Sequence, residues 1–143
     1  MNAFVLDTST ALKWFLEDED DRAYGLAILD TISDDTRPVV PWLWYYEIGN
    51  GLLTQVRRKR ISFDEVTSFL EIIDEMPIDV DLPNSSALLK LPHLAQAHKL
   101  TNYDAAYLEL ANRLQLPLAT NDKDLMRAAS ECGTKLLPMP GMR

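Results

Sequence analysis

A chain of 143 residues, 47% hydrophobic and 25% charged, can bury roughly two-thirds of its unfolded surface, so it requires neither disulfides nor a structural metal to fold. Its single cysteine, Cys132, has no disulfide partner within the chain, no apolar run approaches a membrane span and no secretory leader opens it; the expectation is one soluble, cytoplasmic domain over residues 1–143. The net charge of −8, 22 acids against 14 Lys and Arg, argues alone against a nucleic-acid partner but permits a site that works through a divalent cation, which reverses the local field.

Short apolar or β-branched runs alternate with longer stretches of helical spacing. The first run, Asn2–Leu6, predicts a strand that stops on Asp7, where burying a charge is costly. Three hydroxyl residues, Thr8, Ser9 and Thr10, open a helix over 8–16. The acidic turn Glu17–Asp21 separates it from a second helix over 21–32, and Pro38–Val40 predicts the second strand.

A third helix spans 42–59, with Tyr45, Ile48, Gly49, Leu52 and Val56 on one stripe. It ends in the only basic cluster, Arg57, Arg58, Lys59 and Arg60, where cations suit the negative end of the helix dipole. An RNA-contact role for this cluster stays open beside that reading. The aromatic run Trp42, Trp44, Tyr45 and Tyr46 points in several directions on a helix, so most of it is expected in a core or an interface.

Ser62 and Glu65 form a capping box before a fourth helix with Phe63, Val66, Phe69, Leu70 and Ile73 as its buried face; Pro77 follows its end. Ile78–Val80 is the third strand. A helix over 85–99 must kink or restart at Pro92. The next has Tyr103, Tyr107, Leu110, Ala111 and Leu114 at core spacing, and Leu116–Ala119 is the fourth strand. A last helix over 122–129 precedes a fifth strand, Thr134–Leu137. Strands separated by helices imply a three-layer α/β/α domain around a mostly parallel, five-stranded sheet.

In such sheets ligands bind beyond the carboxyl ends of the strands, near the point where strand order reverses. Asp7 stands at the end of the first strand, Asp122 just past the fourth, and Asp104 in the first turn of the helix before it. Converging carboxylates raise one another's pKa unless a cation intervenes, and Mg²⁺ or Mn²⁺ binds through one or two carboxylates plus water. Each acid has a plainer reading: Asp7 and Asp122 as helix caps, Asp104 as the fourth position of a Thr-x-x-Asp approximation to a capping box. Three caps need not land on one end of one sheet, and that weakens the plain readings jointly. Glu47 lies opposite the apolar stripe and reads as a solvated acid, with Asn50 one turn on. His93 and His98 share no helix face, no glycine-rich phosphate loop is present, and no Gly-x-Ser-x-Gly elbow occurs, so zinc, nucleotide-loop and serine-hydrolase chemistry are set aside.

Four segments in order, DTSTALKWFL, WYYEIGNGL, LTNYDAAYLELA and LATNDKDL, resemble the PIN-domain ribonucleases, in particular the VapC-type toxins of bacterial toxin–antitoxin pairs. The resemblance implies a parallel sheet between helices and an acidic pocket for Mg²⁺ or Mn²⁺. It implies catalytic and metal-holding acids at Asp7, Glu47, Asp104 and Asp122, with Ser9, Asn50 and Thr120 as polar support. Here Glu47 moves from surface acid to site acid. The implied activity is endonucleolytic hydrolysis of RNA by a toxin that forms a homodimer and is held by a cognate antitoxin. Two rivals remain: a catalytically silent RNA- or protein-binding scaffold of the same fold, and a haloacid-dehalogenase-type phosphotransferase using Asp7. The second lacks its expected acid, since Ser9 stands two residues after Asp7.

Overall fold

In the computed structural model, which describes residues 2–17 and 22–138, the first apolar run forms β1 (Asn2–Leu6). Most of the acidic turn, residues 18–21, and the first residue of the expected second helix lie outside the described residues. Phe4, Val5 and Leu6 are all buried, as befits a parallel strand covered on both faces. Helices α1 (Thr8–Leu12) and α2 (Arg22–Thr31) lead to β2 (Thr36–Pro41). Then α3 (Trp44–Arg57) and α4 (Phe63–Asp74) lead to β3 (Asp79–Asp81), and α5 (Ser85–His98) and α6 (Asn102–Leu114) to β4 (Leu118–Ala119). Finally α7 (Lys123–Cys132) packs against α6. Two helices between successive strands give the chain room for parallel crossovers. All three pairings are parallel, in the order β3-β2-β1-β4.

Among the described residues the sheet has four strands, not the expected five. The segment 134–137 does approach β4. Leu118 donates to the Lys135 carbonyl at 2.9 Å and accepts from Leu137 at 2.8 Å, around a single parallel bridge to Leu136. β4 is only two residues long and Pro138 has no N–H to extend the ladder, so the approach stays a bridge.

Several helices differ from their predicted outlines for local reasons. α1 ends at Leu12 because the next turn tightens to i→i+3 bonds, Lys13 to Thr10 and Trp14 to Ala11, the narrower helix common at helix ends. It crosses α2 at Gly25, where a Cβ would stand 2.9 Å from Lys13 Cβ and 3.0 Å from the Thr10 carbonyl. α5 runs through Pro92 without restarting, and the carbonyl this leaves without its helical donor belongs to Leu88, an exposed residue. The Ser62–Glu65 capping box is present with both reciprocal bonds.

The buried faces are narrower, or turned, relative to the sequence stripes. In α4 only Val66 and Ile73 are buried, seven residues apart on one line; Phe63 and Leu70 are exposed and Phe69 stacks on Phe15 at 4.3 Å. In α3 the buried line is Trp44, Ile48, Leu52 and Gln55. Trp44 is therefore the one core residue of the aromatic run, while Trp42, Tyr45 and Tyr46 are exposed. In α6 burial covers Ala105 to Leu108, Leu110 and Ala111, whereas Tyr103 and Leu114 at its ends stay exposed.

Candidate active site

Strand order reverses at β1, which lies between β2 and β4, so a crevice opens beyond its carboxyl end. Asp7 sits there, its N–H bonded to the carbonyl of Ala119 in β4 at 2.9 Å. It occupies the N-cap position of α1 yet makes no side-chain cap bond. Instead Ser9 Oγ and Thr120 Oγ1 each donate to Asp7 Oδ2 at 2.6 Å. Both bonds end on one oxygen, which leaves Oδ1 outside them. Asp7 is 5% exposed, and burial pushes its carboxyl up to about 6. The two hydroxyl bonds lower it, while the charges of Asp104 and Glu47 raise it further.

The same two hydroxyls fasten the loop after β4. Ser9 Oγ accepts from the Asn121 N–H at 3.0 Å, and Thr120 Oγ1 accepts from the Asp122 N–H at 3.0 Å. Thr10 completes the seam by donating to Asn121 Oδ1 at 2.8 Å. The hydroxyl run after Asp7 thus has a physical task. It holds two crevice loops together and screens the buried carboxylate with hydrogen bonds instead of with a counter-charge.

Thr8 serves the other wall. Its hydroxyl lies 2.7 Å from the Tyr107 hydroxyl and 3.2 Å from Glu47 Oε1, and Tyr107 donates to that Oε1 at 2.5 Å. Glu47 is half-buried, which corrects the surface reading that helical periodicity gives it. Thr8 and Tyr107 are the residues sequence reasoning missed. Thr8 had a signal, as a hydroxyl next to Asp7; Tyr107 looked like one more core residue at helical spacing.

Asp104 is half-buried in the first turn of α6, its N–H capped by Thr101 Oγ1 at 3.1 Å. Burial, then the charge of Asp122, raises its carboxyl, and Glu47 and Asp124 add to the rise. Asp122 caps α7 by accepting from the Leu125 N–H at 3.0 Å through Oδ1, as its plain reading expects, and Oδ2 takes no part in that bond. Asp124, in the first turn of α7, adds its charge to the site. The corner between α5 and α6, which carries Asp104, is tied to α7: Arg127 donates to the His98 carbonyl at 3.0 Å, and His98 contacts Glu131 at 2.8 Å and Cys132 at 3.2 Å.

Asp7, Glu47, Asp104 and Asp122 therefore share one field of like charge. Asn50 is exposed one turn beyond Glu47, and no hydrogen bond among the described residues joins its side chain to the acids. Arg57, Arg58, Lys59 and Arg60 are exposed at the far end of α3, about 15 Å along the helix from Glu47.

Among the described residues no three His, Cys, Asp or Glu side chains form a ready-made ligand cage. The donor set suits a hard divalent cation of another kind. Asp7 and Glu47 each have one oxygen tied to hydroxyls and one outside those bonds, and Asp122 has one in a cap bond. Single oxygens from separate segments are what a Mg²⁺-type ion takes while keeping several waters. Among the described residues no helix is long and apolar enough to cross a membrane.

Fold and site together define a class: a three-layer α/β domain with a carboxylate crevice at the switch point of a parallel sheet. The PIN domain family model matches residues 4–131, and the chain belongs to that family. It is 33% identical over 98 residues to Ribonuclease VapC1 of Mycobacterium tuberculosis, spanning 68% of this chain and 72% of that one. In structure it is similar to VapC20 of Mycobacterium tuberculosis, described as a sarcin–ricin loop cleaving toxin. There the TM-score is 0.70 at 11% identity, over 95% of this chain and 98% of that one. It is also similar to VapBC2 of Rickettsia felis bound to a promoter DNA fragment, with a TM-score of 0.64 at 14% identity, over 94% and 97% of the two chains. At these identities the structures speak for the fold.

Proposed function

We propose that this chain is an endoribonuclease dependent on Mg²⁺ or Mn²⁺, the toxin of a toxin–antitoxin pair, acting as a homodimer and held by a cognate antitoxin. The observation that carries the reading is Asp7, a buried carboxylate at the switch point, supported by hydroxyls and pushed up among other acids. Membership of the PIN-domain family and a relative named as a ribonuclease support it. The neighbour named VapBC2 supports the antitoxin partner.

Asp7, Glu47, Asp104 and Asp122 would hold the cation through the oxygens their hydrogen bonds leave over. When bound, the cation supplies polarisation of a phosphoryl oxygen and a water of lowered pKa. The chain's own residues do the rest. Ser9 and Thr120 fix the direction of the Asp7 carboxylate and keep the β4–α7 loop against it. Without the cation the acidic crevice repels RNA phosphate, so entry of the scissile phosphate and its cleavage both require it.

Brief expression followed by sequencing of RNA cleavage ends tests the reading. Discrete new ends should appear with wild type and vanish with Asp7→Asn. An end profile identical in both would overturn it.

The basic cluster supplies a second expectation. It would hold RNA backbone beyond the crevice, so neutralising Arg57 and Arg58 together should reduce the slope of log affinity against log salt by about two units. Filter binding of RNA to the Asp7→Asn protein in Mn²⁺ measures it. An unchanged slope returns the cluster to its role as a helix end.

A further inference from the structure

We infer that Tyr107, seconded by Thr8, is the positioning residue for Glu47: it ties Oε1 into the protein and leaves Oε2 as the oxygen offered to the crevice. The inference rests on the nuclease reading above and assigns a role within that same site.

Tyr107 has no exposed surface, and it sits on α6 one turn after Asp104. Its ring belongs to the main core, while its hydroxyl reaches Glu47, 60 positions earlier on α3, and Thr8 at the start of α1. One buried hydroxyl thus joins the three helices that carry Glu47, Asp104 and the residue after Asp7. The ring is fixed by packing, so the hydroxyl is a rigid donor.

Counting protons fixes the direction of the Tyr107 bond. A tyrosine hydroxyl has one proton, and Glu47 is its acceptor at 2.5 Å. The single Thr8 proton is then left to point at the Tyr107 oxygen at 2.7 Å or at Glu47 Oε1 at 3.2 Å. In both arrangements Tyr107 donates to Oε1, and Thr8 supports that bond either directly at Oε1 or through the Tyr107 oxygen. A half-buried glutamate has three side-chain torsions to fix, and this bonding selects one arrangement of them. The logic repeats that at Asp7, where two hydroxyls converge on Oδ2. Groups that orient the ligands of a metal in this way typically cost 10–100-fold in metal affinity or activity when removed.

The test uses Tyr107→Phe, Thr8→Val and Thr8→Ser, each measured three ways. Melting in metal-free buffer reports the fold. Calorimetric titration with Mn²⁺ alone reports the site. Steady-state cleavage separates kcat from KM. Tyr107→Phe is expected to melt cooperatively, to bind Mn²⁺ about 10–100-fold more weakly, and to lose kcat with KM little changed. Thr8→Val should move the same way by less, and Thr8→Ser, which keeps the hydroxyl, should behave as wild type. If Tyr107→Phe fails to fold, the Thr8 pair carries the test: equal Mn²⁺ affinity in Thr8→Val and Thr8→Ser overturns the inference. Wild-type Mn²⁺ affinity and kcat in a folded Tyr107→Phe overturn it with the nuclease reading intact. A wild type that neither takes up Mn²⁺ nor cuts RNA removes both.

Discussion

Asp7→Asn is expected to give a protein that no longer cleaves RNA and yet is harder to unfold at pH 7.5 in metal-free buffer. Burial holds the Asp7 carboxyl at about 6 in the folded state against an ordinary value of 3.8, so between those values the native protein binds more protons than the unfolded chain. The resulting stability is fully present below pH 3.8 and is lost as the pH rises through 6. A shift of about two units corresponds to about 3 kcal/mol, and asparagine, which does not ionise, escapes that loss. The advantage of the variant should therefore grow from near zero at pH 4 to about 3 kcal/mol at pH 7.5. Urea unfolding at several pH values measures it, and Mn²⁺ should narrow the gap because a cation favours the ionised carboxylate. A difference that stays constant across pH would show that Asp7 carries no such burden.

That opposition between stability and site explains which parts of the molecule were legible in the sequence. Asp7 stood out because an apolar strand ended on a charge. Asp104 and Asp122 were singled out through topology, since the end of a parallel strand is where ligands bind, and β4 does pair with β1. Four of the five expected runs form strands, the first most plainly because Phe4, Val5 and Leu6 have no solvated face to interrupt them. The exception is the last run, whose partner strand β4 is too short to extend a ladder.

Glu47 was not legible from spacing. Helical periodicity divides α3 into an apolar side and the remainder, and says nothing about what meets the remainder. What meets Glu47 is a hydroxyl from Tyr107, and no local pattern encodes a contact across 60 positions. Only resemblance to a family placed that acid. Tyr107 itself was hidden by its ring, which satisfies the core pattern whether or not its hydroxyl has a task. The misjudged apolar faces follow a related rule. The spacing of Phe63, Leu70, Tyr103 and Leu114 gives a direction around a helix, but how far the neighbouring layer extends along that helix decides whether the residue is covered.

Asp104→Asn should lower cleavage by roughly a thousandfold and abolish stabilisation by Mn²⁺. Asp104 is where the two sides of the crevice meet electrically: its charge acts on Asp7, while Asp122, Glu47 and Asp124 act on it. Removing it leaves the acids of the two sides less strongly linked and takes away one of the carboxylates proposed to hold the cation. Electrostatic stabilisation of a phosphoryl transition state by a bound metal is worth several kcal/mol, and about 4 kcal/mol is a factor of roughly a thousand in rate. The binding half of the expectation is independent of RNA. At a Mn²⁺ concentration one hundred times its dissociation constant, wild type should gain about 2.7 kcal/mol of stability, and the variant close to none. Asp104→Glu, which keeps the charge but moves it by one methylene, should retain part of the Mn²⁺ stabilisation and little of the cleavage, because position and charge are both required. Melting curves with and without Mn²⁺ distinguish the three proteins. Equal Mn²⁺ stabilisation in wild type and Asp104→Asn would place the cation away from this crevice.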